Sequence, residues 1–174
     1  MTAVLEYLDE VEIDMCLRLN RLGRRRPVCV FFSIVSKLGN GGFWVAMCAV
    51  LFATQGSRSL PAIAVIAAAA GIGIAIYRLL KNRLVRERPF ITHRAIECGT
   101  APLDRYSFPS GHTLHAVSFS IMLTGAEPLF LVPTVTFAGL VAASRLVLGL
   151  HYPSDVLAGG AIGAAIGSAG AALL

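Results

Sequence analysis

The sequence is poor in charged residues. Only 14% of its 174 residues are Asp, Glu, Lys or Arg, whereas an average soluble domain has about 25%. Hydrophobic residues make up 56% of the chain, and the mean hydropathy is +0.71. A soluble fold of this size would have too few polar side chains to cover its surface, and so apolar a chain is not a disordered one. The composition therefore predicts a small integral membrane protein with one domain.

Paired cysteines and a signal peptide are also missing. The four cysteines show no paired spacing, so they predict neither a disulfide framework nor a metal site. We expect each to be reduced and to pack as a small hydrophobic residue. The first 26 residues carry acidic residues early and arginines late, which is the reverse of the order in a signal peptide.

Residues 1–27 have a pattern of their own. Apolar side chains recur there at steps of three and four, as they do on one face of a helix: Val4, Leu8, Val11, Met15, Leu19 and Leu22. Acidic residues and arginines occupy the other faces. We expect an amphipathic helix that lies along the membrane surface or on the bundle and does not cross. Residues 28–174 are then the transmembrane domain.

Apolar stretches predict five crossings of the membrane. A hydrocarbon core of about 30 Å needs about 20 helical residues, and we place the crossings at roughly 39–54, 60–80, 112–125, 129–150 and 154–174. Residues 28–36 form a short lead-in before a break at 36–42. The predicted fold class is all-α, a polytopic membrane helix bundle with an N-terminal amphipathic surface helix. This topology gathers the polar stretches 81–111 and 150–154 on one side of the membrane.

The last crossing carries a glycine every four residues, at Gly159, Gly163 and Gly167. Such a face of small residues lets helices approach closely. We interpret it as a packing face rather than as filler. It is also the candidate surface for a homo-oligomer.

Three polar blocks lie where helices end on the polar side: KNRLVRERP at 81–89, YSFPSGH at 106–112 and SRLVLGLHYPSD at 144–155. Taken singly, they are typical of a positively charged flank, a helix N-cap and an interfacial anchor. Ionisable groups are costly at a membrane, so their convergence on one face indicates a functional site.

The blocks contain the parts of a phosphate site. Lys81, Arg88 and Arg145 supply cations, and arginine donors suit phosphate oxygens. Ser110 and Gly111 begin a helix, where free backbone N–H groups attract an anion. We therefore expect a site for a tetrahedral dianion.

Two histidines supply the reactive groups. Asp155 follows His151 by four residues, a spacing that lets the carboxylate fix the ring tautomer and leaves the other nitrogen as a nucleophile. His112 lies at another helix end and would protonate the leaving oxygen. The reaction class that fits is phosphoryl transfer to histidine and then to water.

The same residues match a three-part signature. It reads Lys, six residues, Arg-Pro; then Pro-Ser-Gly-His; then Ser-Arg, five residues, His, three residues, Asp. Over roughly residues 36–170 the chain resembles the type 2 phosphatidic acid phosphatase superfamily, which includes lipid diphosphate phosphatases, glucose-6-phosphatase and vanadium haloperoxidases.

The resemblance implies a role for each residue. His151 would form a phosphohistidine, Asp155 would orient it, and His112 would be the general acid. The phosphate would be bound by Lys81, Arg88, Ser110, Gly111 and Arg145. Members of this superfamily that the chain resembles need no metal, so no metal and no cofactor are expected.

The predicted function is hydrolysis of a lipid phosphate in the bilayer, with no nucleic-acid partner. Candidate substrates are phosphatidate, phosphatidylglycerophosphate and polyprenyl phosphates or diphosphates. A lipid phosphotransferase with the same intermediate and a non-catalytic lipid-binding scaffold are the alternatives. A haloperoxidase is disfavoured, because those relatives are larger and soluble.

The resemblance also bears on location. Many bacterial members have six crossings, so we expect this chain to lack the first and to be a multi-pass protein of the bacterial inner membrane. The turns opposite the site hold only Arg58 and Glu127, so the count of Lys and Arg favours a cytoplasmic site. The loop also carries four arginines beyond the signature, Arg83, Arg86, Arg94 and Arg105. Two interpretations stay open: these arginines contact a second phosphate or lipid headgroups, or they belong to a solvated loop. We expect His115 to be a packed histidine.

Overall fold

The computed structural model of the chain describes the backbone of residues 2–174 and the side chains from residue 10 onward. All regular structure in this range is helical, as the composition predicted. The helices are α1 (Thr2–Gly23), α2 (Arg26–Lys37), α3 (Phe43–Gln55), α4 (Leu60–Leu84), α5 (Pro89–Thr92), α6 (Gly111–Ala126), α7 (Leu131–Val147) and α8 (Pro153–Ala171).

Proline marks the start of several helices. It stands in the first turn of α2, α4, α5 and α8, where its missing N–H has no intrahelical partner to lose. Gly56 takes φ +60° after α3 and turns the chain toward α4. This backbone region favours glycine, because a Cβ would be crowded there.

The break at residues 36–42 is a π-helical turn, Leu38–Gly42, that joins α2 to α3. Gly41 takes φ +140° inside it, a non-helical backbone conformation that kinks the chain and separates α2 from α3. Residues 28–36 lie in the short helix α2, which precedes this break as the sequence predicted.

Helix α6 lies at the centre of the bundle and packs against α8, α7 and α4. Its side chains Leu114, Met122 and Leu123 are fully buried. Around it lies the main apolar core, whose large members include Trp44, Leu51, Ile66, Phe119, Phe137 and Val141. The helix that begins with the predicted Ser-Gly-His motif therefore lies inside the bundle.

Apolar side chains also cover much of the outer surface. Large exposed ones include Val45, Phe52, Ile72, Leu79, Val132 and Leu157. By length and composition, two helical stretches can cross a membrane: residues 26–92, which join several helices, and 128–147. An outward apolar face on these helices is typical of a bundle surrounded by lipid.

The three glycines of α8 face α6 of the same chain. A Cβ on Gly163 would collide with the carbonyl oxygen of Leu114, and one on Gly167 would lie 2.9 Å from the carbonyl oxygen of Ser118. The packing interpretation is therefore confirmed. The prediction that this glycine face, including Gly159, holds a homo-oligomer was wrong, because α6 already buries it within the bundle.

Helix α1 packs against α2, α7 and α8 with a side that also carries the partly buried Ile13 and Leu17. Cys16 and Asn20 are buried, and the Asn20 side-chain amide donates to the carbonyl oxygens of Glu97 (2.9 Å) and Val147 (3.1 Å). Val11 and Met15 of the predicted apolar stripe are exposed, as is Leu22. The apolar stripe thus faces outward from the bundle; its members Val4 and Leu8 have side chains outside the described residues.

We expect Gly163→Ala to destabilise the bundle, because the added methyl group meets backbone of α6 that cannot move aside. Overpacking of this kind costs about 1–3 kcal/mol in free energy of unfolding, so Tm should fall by several degrees. Gly139→Ala is the matched control, since a Cβ there meets nothing within 4 Å. Equal Tm values for both variants in detergent would contradict the packing role of Gly163.

Candidate active site

A cavity of about 770 Å³ runs along α4 from the apolar middle of the bundle to its polar end. The polar end is lined by residues from all three sequence blocks: Lys81, Arg88, Gly111, His112, Arg145 and His151. The other end is lined by apolar side chains that include Trp44, Val45, Ile63, Ile66, Ala70 and Ile74. The structure thus brings together blocks that are distant along the chain.

Backbone hydrogen bonds tie the three blocks to one another. The N–H of Ser107 donates to the carbonyl oxygen of Arg86 at 2.8 Å, joining the first block to the second. The N–H of Ser110 donates to the carbonyl oxygen of Asp155 at 3.0 Å, joining the second to the third. These bonds fix the ends of α4, α6 and α8 relative to each other.

His151 lies in the loop between α7 and α8 and is 1% exposed. Its Nε2 is 3.2 Å from Nη1 of Arg88. Because a guanidinium can only donate, Nε2 must accept, and the proton of the neutral ring lies on Nδ1. Burial and then the charges of Arg145 and Arg88 hold the pKa of His151 well below its usual value, which keeps this ring neutral.

Asp155 faces the protonated side of that ring. Its Oδ2 lies 3.5 Å from Nδ1 of His151, which is longer than a good hydrogen bond. The same oxygen accepts the backbone N–H of Tyr152 at 2.8 Å, while Oδ1 accepts from Arg86 at 3.0 Å. The carboxylate is therefore held beside His151 by groups other than the histidine.

Asp104, which the sequence analysis missed, forms ion pairs with two cations of the first block. Its Oδ1 lies 2.7 Å from both Nζ of Lys81 and Nη2 of Arg88. Burial alone would raise the pKa of this carboxyl, but the hydrogen bond from Lys81 and the charges of Lys81 and Arg88 outweigh burial and lower it. The only sequence signal was one of two acidic residues in the 93–110 loop, the other being Glu97.

Arg145 is buried with an unused donor. Its Nη1 donates to Oγ of Ser36, a second residue that the sequence analysis missed. Its Nε finds no hydrogen-bond partner among the side chains and backbone that the structure describes. Buried polar groups are almost always paired, so an unpaired guanidinium N–H beside a cavity fits a site that takes an anion.

Ser110 and Gly111 begin α6 in different ways. The Ser110 hydroxyl caps the helix, lying 3.0 Å from Oγ1 of Thr113 and 3.4 Å from its backbone N. It does not line the cavity, so the N-cap interpretation describes its side chain in this structure. Gly111 does line the cavity, and a Cβ there would lie 3.2 Å from the Tyr77 ring.

His112 contacts Asn40 of the π-helical turn through its Nε2 and the amide Oδ1. An amide oxygen only accepts, so this nitrogen carries a proton. Asn40 was missed because a glycine-rich break does not indicate chemistry. His115 packs against Phe119, with ring centroids 5.3 Å apart, as expected for a packed histidine.

The extra arginines of the loop differ in their environment. Arg86 fits neither predicted interpretation, because it is bound to Glu12, Ser154 and Asp155. Arg105 is exposed and pairs with Glu87 at 3.6 Å. The remaining two, Arg83 and Arg94, are exposed as a solvated loop predicts.

Comparison with known proteins agrees with this arrangement. Residues 60–173 match the PAP2 superfamily. The chain belongs to this family. Over 120 residues it is 37% identical to the decaprenylphosphoryl-5-phosphoribose phosphatase of Mycolicibacterium smegmatis. The aligned residues cover 67% of this chain and 62% of that protein. Over 155 residues it is 28% identical to the undecaprenyl-diphosphatase of Sulfolobus acidocaldarius, covering 88% of this chain and 72% of that protein.

A solved PAP2 structure has the same fold. The crystal structure of LpxE from Aquifex aeolicus matches with a TM-score of 0.74 and 26% identity, over 92% of this chain and 94% of that one. The chain spans 55% to 62% of the length of its mycobacterial relatives. The all-α membrane fold class and the family that the residues predicted are confirmed.

We expect Asp104→Asn to bind inorganic phosphate more tightly than the parent PAP2 chain, because a carboxylate no longer competes for Lys81 and Arg88. Partly exposed ion pairs are worth about 0.2–1 kcal/mol each, so the dissociation constant should fall by about two- to fivefold in calorimetry. Glu87→Gln, which removes an outer carboxylate of the same region, is the control.

The effect should depend on pH in a set direction. The Asp104 pKa is lowered, so the parent carboxylate is charged and competes at neutral pH. The difference between parent and variant should vanish only as the pH falls below that lowered pKa. Weaker binding by Asp104→Asn at neutral pH would instead mean that Asp104 holds the cations in place for phosphate.

Proposed function

We propose that the chain is an integral membrane phosphatase that hydrolyses a phosphomonoester or diphosphate of an amphiphilic lipid through a phosphohistidine. The observation that carries the proposal is the neutral His151 beside three cations at the polar end of a cavity whose other end is apolar. One cavity thus contains the nucleophile, the anion site and an apolar region that fits a hydrocarbon chain.

The shape of the cavity supports a lipid substrate. The cavity-lining residues of α4 fall on one helical face, apolar from Ile63 to Ile74 and polar from Tyr77 to Lys81. A lipid would place its phosphate at the cations and its tail along the apolar part. A water-soluble phosphate ester would leave that apolar wall without a partner.

The first half-reaction forms the phosphohistidine. Phosphate oxygens replace Asp104 at Lys81 and at Nη2 of Arg88, and Nη1 of Arg88 turns from Nε2 of His151 to a phosphate oxygen. Nε2 then attacks phosphorus in line with the lipid oxygen. The bond between phosphorus and that oxygen breaks, and His112, as an imidazolium beside the bound dianion, gives the oxygen a proton and becomes neutral. The positive charge that develops on His151 is stabilised by Asp155 on the other side of the ring.

The second half-reaction returns the protein to its starting state. His112, now neutral, takes a proton from water as the water oxygen attacks phosphorus. The P–N bond breaks, inorganic phosphate leaves, and His151 is again neutral. Gly111 and Arg145 line the same end of the cavity and would hold the phosphoryl oxygens throughout, together with the backbone N–H groups at the start of α6.

The relatives' names support lipid-linked phosphates as the substrate class, among them phosphates of polyprenyl lipids. Phosphatidate and phosphatidylglycerophosphate belong to the same class. We also propose five crossings by α2–α3, α4, α6, α7 and α8, an interfacial segment 1–27, and a cytoplasmic site on the count of Lys and Arg.

The test is phosphate release from a panel of these lipids by the protein reconstituted in vesicles, with EDTA present. We expect release from at least one lipid, loss of release in His151→Ala, and normal release in His93→Ala, whose histidine lies in the outer loop. Labelled phosphate should remain on His151 after a rapid acid-free quench. No release from any lipid, or equal release by parent and His151→Ala, would reject the proposal.

The role of His112 makes a separate prediction. A general acid matters most for a poor leaving group. His112→Gln should lower kcat by about 10²–10⁴-fold on a lipid alkyl phosphate but far less on an aryl phosphate of the same tail length, whose phenolate leaves without a proton. An equal fall in kcat on both substrates would show that His112 is not the general acid.

A further inference from the structure

We propose that Glu12 of α1 and Arg86 of the α4–α5 loop are positioning residues for the reaction, which act on His151 through Asp155. The inference rests on the proposed function. Neither residue lies at a signature position, and the residues of α1 belong to none of the three blocks.

The two side chains form a continuous chain of contacts to Asp155. Glu12 Oε2 lies 2.7 Å from Nη2 of Arg86, and Nη1 of Arg86 lies 3.0 Å from Oδ1 of Asp155. The Glu12 and Asp155 side chains are 13% and 0% exposed, and that of Arg86 is 29% exposed. One guanidinium thus bridges two carboxylates in a largely buried setting.

The guanidinium is itself fixed from two further sides. Its Nη1 also donates to Oγ of Ser154 at 2.7 Å, and its plane lies over the Tyr152 ring at 3.9 Å from the centroid. Glu12 Oε1 accepts the backbone N–H of Ser154 at 2.6 Å, in the first turn of α8. Glu12 and Arg86 therefore hold both the carboxylate and the helix start that carries it.

The orientation of Asp155 depends on these contacts. Arg86 engages Oδ1, and this leaves Oδ2 for the Tyr152 N–H and for Nδ1 of His151. Without Arg86 the carboxylate could rotate about its Cβ–Cγ bond and turn either oxygen away from the ring. A carboxylate turned away from Nδ1 stabilises the developing imidazolium less, which slows attack by Nε2.

The charges explain why Glu12 is needed as well as Arg86. Arg86 alone would neutralise Asp155 and weaken its attraction for the imidazolium that forms during phosphoryl transfer. Glu12 shares the guanidinium, so the three side chains together keep one net negative charge beside His151. This predicts that Glu12 acts on the rate of the chemical step and not on phosphate binding, because neither side chain touches Lys81 or Arg145.

The test compares Glu12→Gln, Arg86→Gln and Arg86→Lys with the parent. We expect the two Gln variants to lower kcat by about tenfold with KM and inorganic phosphate affinity unchanged, and Arg86→Lys to restore part of the loss. The matched controls are Asp14→Asn and Arg18→Gln, an exposed ion pair (2.7 Å) on the same helix. They should keep the parent kcat.

A double-mutant cycle separates positioning from simple stabilisation. If Arg86 acts through Asp155, then Arg86→Gln should cause no further loss of kcat in an Asp155→Asn background. An additive loss, a change confined to KM, or a fall in kcat that matches the fraction of unfolded protein in a thermal scan would overturn the inference.

A measurement that does not require turnover tests this inference independently of the proposed function. Arg88 fixes the His151 tautomer in every variant, so the readout is the Nδ1–H group that faces Asp155. We expect its ¹H and ¹⁵N resonances to shift in Glu12→Gln and Arg86→Gln and to keep their parent positions in Arg18→Gln. An inactive parent with this pattern would reject the phosphatase and support the positioning role. Unchanged Nδ1–H resonances in every variant would reject the positioning role, whatever the activity.

Discussion

The structure depends on three buried or nearly buried cations that share one cavity. Lys81, Arg88 and Arg145 are 6%, 2% and 2% exposed, and charges removed from water must be compensated by opposite charge or by hydrogen bonds. Asp104 compensates two of them within the chain, while the Nε of Arg145 is left unpaired by the described residues. Three cations against one carboxylate leave an excess of positive charge at the polar end of the cavity, and such an excess favours an anion.

Close packing of the helices makes such a cluster tolerable. The glycines of α8 bring its backbone against that of α6, and the buried side chains of α6 fill the centre of the bundle. The N–H of Ser110 also bonds to the carbonyl oxygen of Asp155, which joins the start of α6 to the start of α8. Gly111, His112 and Asp155 are therefore carried by two closely packed helices.

Helix α1 joins the loop after α4 to the start of α8. Its polar face holds Arg86 and the start of α8 through Glu12, and its exposed face carries Val11 and Met15. The side of α1 that faces the bundle combines the polar Glu12 and Asn20 with Cys16, Ile13 and Leu17. The exposed apolar side fits the proposed interfacial position of this segment.

The sequence by itself determined the membrane class, the helical fold, and the signature residues of the three blocks. These follow from local rules: apolar length sets the spans, glycine spacing sets a packing face, and His, Asp and Arg at fixed intervals predict phosphoryl chemistry. Only the tertiary structure decided which face of α1 is buried, that the glycine face is used within the chain, and that Ser36, Asn40, Asp104 and Glu12 belong to the site. Each of these residues reaches the site from a distant segment, and no spacing rule links positions that meet only when separate helices pack.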